Sequence, residues 1–197
     1  IFPDKTKTSD INQYTQLVSD FIKDFENITD ENSLLYILEK YLTNVPAQTP
    51  VEIKGDLKLN SPDINLFDHS RVTAAIALCL YDEYINGTWK KHDREILGDK
   101  YKTELEKPCV LINGNINGIQ KFIFEIKSEK ASKQLKGRSF FVQVLSDIVV
   151  KVITDKYKLK QANVLYNGGG NFFILAPAYI SKSFKEEIIN HVSETLI

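Results

Sequence analysis

Residues 163–175 read NVLYNGGGNFFIL, a short apolar run, three consecutive glycines and a second apolar run. This pattern predicts a strand, a tight turn and a returning strand. Glycines take positive φ without steric penalty and let another backbone or a ligand approach closely. The segment is therefore expected to form an antiparallel hairpin, around which the rest of the fold must be built.

The rest of the chain supplies the partners of that hairpin. Residues 9–26 place Ile11, Tyr14, Leu17, Val18, Phe21, Ile22 and Phe25 at helical spacing, with Ser9 as N-cap. Thr29 or Asp30 caps a second helix carrying Leu34, Leu35, Ile37, Leu38, Tyr41 and Leu42. Both stripes need an apolar surface to cover them. Pro46 and Pro50 end the helical region, and residues 44–60 read as an extended connector. Pro62 suits a first helical position, and residues 72–85, VTAAIALCLYDEYI, predict a helix buried on several sides. Asp68 reads as its cap, and residues 86–107 as a polar excursion anchored by Trp89.

From Pro108 onward the elements alternate. Residues 109–112, CVLI, predict a buried strand, ended by Gly114-Asn115-Ile116-Asn117-Gly118. A short helix with Ile119, Phe122, Ile123 and Ile126 on one face follows. A longer one runs over 131–157, with a core stripe of Phe140, Phe141, Val144, Leu145, Ile148, Val149, Val152 and Ile153. After the hairpin comes an amphipathic helix with Phe184, Ile188, Ile189 and Val192. This order predicts an α+β fold of ferredoxin-like type, an antiparallel sheet with helices on one face, preceded by amphipathic helices. A fourth, closing strand is expected after Ile197. Residues 1–60 form a helical linker region, 61–107 the buried helix and excursion, and 108–197 the sheet domain.

Composition narrows the chemistry. The 197 residues carry a net charge of −1, which gives no general attraction to nucleic acid or anionic membrane. Cys79 and Cys109 read as buried thiols of a reducing compartment, too few for a structural zinc site. No apolar run reaches the roughly 20 residues of a membrane span, so no membrane partner is expected. The lack of methionine marks the chain as part of a longer polypeptide. Asp68-His69 lacks further ligands, since His92 and His191 are isolated. Lys133, Lys136 and Arg138 form a basic stretch suited either to phosphate or to plain solvation.

Four segments in register identify a family. They are residues 63–77, DINLFDHSRVTAAIA; 114–123, GNINGIQKFI; 135–140, LKGRSF; and 163–170, NVLYNGGG. Together they resemble the large subunit of type III CRISPR effector complexes, in its Csm-type form. The resemblance implies that the chain holds the first of two palm domains. It implies a second palm with a Gly-Gly-Asp-Asp turn, which uses Mg or Mn to join ATP into cyclic oligoadenylates, and a nuclease domain of HD type. Both lie outside these residues. Implied partners are that second palm, other Csm-type subunits, and guide and target RNA, in the cytoplasm.

Within that resemblance the glycine turn lacks its acids, because Gly170 and Asn171 stand where two carboxylates are wanted. The family's Gly-Asp-Ile-Ser-Gly-Ile-Gln is also altered: Asn115 replaces the acid and Asn117 the serine implicated in nucleotide binding. A two-metal centre needs converging carboxylates, and Asn113, Asn115, Gly170 and Asn171 are neutral. No catalytic or metal-binding residue is therefore expected here. Nucleotide contact is expected from Asn117, Gly118, Ser139, Gly168, Gly169, Gly170 and Asn171, since loop N–H groups at one sheet edge suit phosphate. Two alternatives stand beside this: an architectural module that docks neighbouring subunits, and a degenerate diguanylate-cyclase-like regulatory domain.

Overall fold

The structure is a computed structural model and describes residues 11–47, 64–86, 108–125, 131–188 and 190. The chain divides into two compact units, residues 1–70 and 71–197. Several sequence expectations lie outside the described residues: the Ser9 cap, most of the 44–60 connector, the Pro62 helix start, the Trp89 excursion, Ile126, Ile189 and Val192.

In the first unit, α1 (Ile11–Phe25) packs on α2 (Glu31–Leu42) through an edge-on contact of Phe21 with the buried Tyr41. Asp30 is the N-cap of α2, accepting from the backbone N–H groups of Asn32 and Ser33 at 2.9 and 3.0 Å. Asp24 accepts from both Lys40 Nζ and the Tyr41 hydroxyl at 2.7 Å. The stripe on α1 is less covered than its spacing predicts. Ile11 is 73% exposed and Ile22 52%, and no α1 residue is buried. Backbone bonds from Leu66 to Val45 and from Ala47 to Ile64 tie the chain after α2 to the start of α3 (Leu66–Ile85).

Both acids titrate below their ordinary value near 3.8: Asp24 through its bonds to Lys40 and Tyr41, Asp30 through the Ser33 hydroxyl and backbone bonds. A depressed folded-state pKa gives stability that is present above the unfolded value and lost as pH falls through the folded one. Amide exchange across residues 11–42 is accordingly expected to accelerate as pH drops below about 4, beyond the intrinsic acid trend. Asp24→Asn with Asp30→Asn is expected to flatten that dependence.

Asn65, rather than Asp68, caps α3. Its Oδ1 accepts the Asp68 backbone N–H at 2.7 Å, and its amide donates to the Asp68 carboxylate at 2.7 Å. Asp68 sits at the third helical position, where its charge favours the helix N-terminus. Nor is α3 buried all round. Ala75, Cys79 and Glu83, spaced by four, face inward, whereas Ile76, Tyr81, Tyr84 and Ile85 are exposed. An almost continuous apolar run does not encode which face turns inward.

The second unit centres on a three-stranded antiparallel sheet of order β1-β3-β2, with β1 Cys109–Asn115, β2 Val164–Gly168 and β3 Asn171–Pro177. Helices α4 (Ile119–Phe124) and α5 (Ala131–Lys156) connect β1 to β2, so those two parallel strands flank the returning β3. This is the split β-α-β arrangement of ferredoxin-like folds. Phe172, Ile174 and Ala176 point to the helix side and are buried with Val150, Ile153, Leu159, Val164 and Ile180. Leu111, Asn113 and Asn115 alternate with them across the ladder and are exposed on the open face.

α5 buries only part of the stripe its sequence suggests, with Ile153 in the core and Val149 packed against it. Val142, Ser146, Val150, Ile153 and Thr154 are buried, and Phe140, Phe141 and Ile148 are exposed. Its end is a Schellman turn with Lys158 at φ 55: Leu159 N–H reaches Thr154 C=O at 2.8 Å, and Lys158 N–H reaches Asp155 C=O at 3.2 Å. A 3-10 stretch, Ala178–Lys182, and a further helical turn follow β3. There Phe184 stacks on Tyr157, with ring centroids 5.7 Å apart.

Candidate nucleotide-binding edge

The hairpin closes through a two-residue turn. Gly168 pairs with Asn171, and Gly169 and Gly170 take φ of 59° and 80°. Two successive positive φ values define the primed turn whose twist matches antiparallel strands, and glycine is the residue that reaches both. Gly169 opens to solvent: a Cβ there would meet nothing within 4 Å. Gly170 is buried, and a Cβ there would lie 2.1 Å from Ile119 Cδ1 and 3.4 Å from Val142 Cγ1.

The other glycine loop meets this turn. The Ile116 N–H donates to Gly170 C=O at 2.8 Å, continuing the β1–β3 ladder one step past the Asn115–Asn171 pair. Gly118, at φ 79°, then starts α4. The two loops therefore share one sheet edge, as their order in the sequence implied. One of the N–H groups available there, that of Ile116, is already used.

The residues expected to contact nucleotide fall around this edge unevenly. Asn117, Gly118, Gly169 and Asn171 are exposed, and Gly168 is half-buried. Asn117 Oδ1 accepts from the Asn115 amide at 3.4 Å, so these two side chains lie together. Ser139 is exposed on α5, one turn before Val142, the residue against Gly170. Arg138 is committed elsewhere. Its Nη1 donates to Phe122 C=O and, at 2.8 Å, to Glu125 C=O, and its guanidinium lies 5.2 Å from the Phe122 ring centroid. It closes the C-terminal end of α4 instead of facing a phosphate, while Lys133 and Lys136 are exposed.

Asn113, Asn115, Asn171 and Tyr166, whose hydroxyl would stand 3.0 Å from a Cβ at Gly168, are polar side chains that the strand pairing brings near the turn on the open face. Neutral amides are poor ligands for a divalent pair, which needs carboxylate charge. Among the described residues, no three His, Cys, Asp or Glu side chains converge to hold a metal ion. The donor set suits hydrogen bonding to a ligand.

Toward the other end of the strands lies a polar layer that spacing alone did not reveal. Arg71 on α3 donates to Leu165 C=O, at the bulge where β2 slips against β3. Asn163 bonds Leu175 C=O at 2.9 Å and Cys79 Sγ at 3.6 Å, and buried Glu83 accepts the Tyr179 N–H at 2.7 Å. Burial pushes the Cys79 thiol up to about 12 and raises Cys109 as well, so both stay protonated and unreactive at neutral pH.

A family model described as the Csm1 subunit domain B matches residues 108–197. The Methanocaldococcus jannaschii CRISPR system single-strand-specific deoxyribonuclease Cas10/Csm1, subtype III-A, is 35% identical over 209 residues, covering 100% of this chain and 25% of that protein. Residues 108–197 belong to the Csm1 domain B family, and the whole chain is similar to a segment of Cas10/Csm1. The Streptococcus thermophilus Cas10/Csm1 is 36% identical over 158 residues, covering 79% of this chain and 20% of its own length. The chain thus spans a quarter or less of these relatives. Among solved structures, Csm1 of T. onnurineus superposes with a TM-score of 0.68 at 28% identity, covering 92% of this chain and 23% of that one. A Csm1–Csm4 cassette in complex with one ATP gives 0.64 at 28% identity over 92% of this chain and 22% of its own. A cassette with cA3 gives 0.68 at 27% identity, over 98% and 23%. The Csm1 fold, with its antiparallel sheet and preceding helices, is therefore the fold of this chain.

Proposed function

We propose that residues 108–197 are the non-catalytic first palm domain of a type III CRISPR large subunit, and that their glycine edge helps hold ATP. The carrying observation is the Ile116–Gly170 hydrogen bond, which joins two glycine loops into one edge. Backbone can approach a nucleotide closely there, and Asn117 and Asn171 offer amide donors to phosphate or ribose. The solved Csm1–Csm4 cassettes with ATP and with cA3 support this reading.

A second palm domain of the same subunit supplies what this edge lacks: carboxylates, the Mg or Mn ions they hold, and the chemistry that makes cyclic oligoadenylate in antiviral defence. This chain's share is to seat one ATP and turn it toward that site. Asn117, in place of the family's serine, donates from a longer side chain, which alters the fit to the nucleotide. Residues 1–60 act as the helical linker region. Csm-type subunits and the guide and target RNA meet the protein through the complex, in the cytoplasm. Among the described residues no helix is long and apolar enough to cross a membrane.

The exposed apolar faces of α1 and α5 favour a second reading, an architectural module that docks a neighbouring subunit and binds no nucleotide. Titrating ATP and magnesium into the chain while following its amide resonances separates the two. Saturable shifts at Gly168–Gly170, with no conversion of ATP, support the nucleotide-holding palm. Silence there supports the scaffold, and oligoadenylate made by this chain alone would overturn the passive assignment.

A further inference from the structure

A turn of three glycines has no side chains by which to be held, so its position must be set by its flanks. One flank is pinned by Gly170 against Ile119 and Val142. The other leads into Asn167, the last residue before the glycines. Asn167 Oδ1 accepts from Ser146 Oγ at 2.5 Å, and Asn167 Nδ2 donates to Asp147 Oδ1 at 2.7 Å. Ser146 is wholly buried in α5, and Gln143, one turn earlier, donates to the same Asp147 oxygen at 2.8 Å.

The two ends of the Asn167 amide thus meet opposite chemistry. A hydroxyl donor faces its oxygen and a carboxylate acceptor faces its nitrogen, which fixes the orientation of the group. Aspartate in its place would set two carboxylates against each other. An apolar residue would leave the buried Ser146 hydroxyl without its acceptor. β2 carries a bulge at Leu165, so ladder register alone holds its end weakly, and the side-chain tie to α5 compensates.

We infer that Asn167 is a positioning residue for the nucleotide-facing turn, acting through Ser146 and Asp147 to set where Gly168–Gly170 stand relative to α5. This inference rests on the nucleotide reading for its functional consequence, but its structural part stands independently. The test compares Asn167→Asp with the double variant Asp147→Asn/Asn167→Asp, in which the exchanged groups hydrogen-bond in the reverse sense and the Gln143 amide turns over to present its oxygen to position 147. Two readouts are taken on the full chain: amide hydrogen exchange, and the midpoint of the ATP–magnesium titration.

In Asn167→Asp, exchange at Gly168 and Asn171, the pair that closes the turn, is expected to rise about tenfold, the change one lost hydrogen bond supports. Exchange at Ile174 and Ala176 in the central strand stays as it was, which a general loss of stability would not allow. The titration midpoint rises by a similar factor, and the double variant brings both readouts back to within about twofold. If Asn167→Asp does not fold, Ser146→Ala removes the same tie from the other side and is expected to act in the same direction. Unchanged exchange at the turn, or a folded double variant that fails to recover, overturns the inference. If the original chain gives no ATP response at the turn, the nucleotide reading fails, while the exchange comparison still decides the role of Asn167.

Discussion

Gly114→Ala is expected to destabilise the sheet unit by about 3 kcal/mol, near the upper end of what overpacking a core causes. Gly114 pairs with Phe172 across the ladder, and the phenyl ring lies directly over it. A Cβ at Gly114 would stand 1.9 Å from Phe172 Cζ, and the other two nearest ring carbons would lie within 2.6 Å. The ring is 6% exposed within the core, so it has little room to withdraw. Since domains hold about 5–15 kcal/mol in total, the loss is large, and the melting temperature is expected to fall by about 10 °C. Gly114→Ala combined with Phe172→Leu is expected to be less destabilised than the sum of the two single changes, because the shorter side chain vacates the space. Strict additivity in thermal melts would contradict the ring-over-glycine account.

Gly170→Ala is expected to lose about 2–3 kcal/mol for two separable reasons, a positive φ and a clash. At φ 80° any Cβ is strained, and here it would also lie 2.1 Å from Ile119 Cδ1. Gly169→Ala isolates the first cause, since that position has φ 59° and open space around it, and it is expected to lose only about 1 kcal/mol. The two melts should therefore differ although the substitutions are neighbours in one turn. Gly170→Ala also pushes the turn away from α4 and α5, so its ATP response is expected to vanish while that of Gly169→Ala weakens. Equal melts for the two variants would mean that Ile119 simply swings aside.

Much of this architecture was legible because its signals are local. The apolar run beginning at Cys109 and the triple glycine between two apolar runs give the strand order without tertiary information. Residues 131–157 likewise mark one long helix, observed as Ala131–Lys156. Phase within long apolar helices was not legible. In α5 the aromatic residues look like core, yet the smaller Val142, Ser146 and Val150 face the sheet, where close approach to strands favours small side chains. In α3 the cap went to Asn65 because its side chain both accepts from and donates to Asp68, a reciprocity that spacing alone leaves ambiguous.

The site shows the same division. That the two glycine loops share an edge follows from strand order, and the structure joins them through one hydrogen bond. That Arg138 closes α4 rather than meeting phosphate depends on where two carbonyls sixteen and thirteen residues away end up. The Asn167 tie spans twenty residues to Asp147 and has no sequence signature beyond an asparagine preceding glycines.

The central claim is that this edge holds ATP without transforming it. The most direct measurement is the ATP–magnesium titration of the chain, read at the amides of Asn117, Gly118 and Gly168–Asn171. The account predicts saturable shifts confined to those positions and no oligoadenylate product. A titration that leaves them unmoved, or moves residues elsewhere instead, would contradict it.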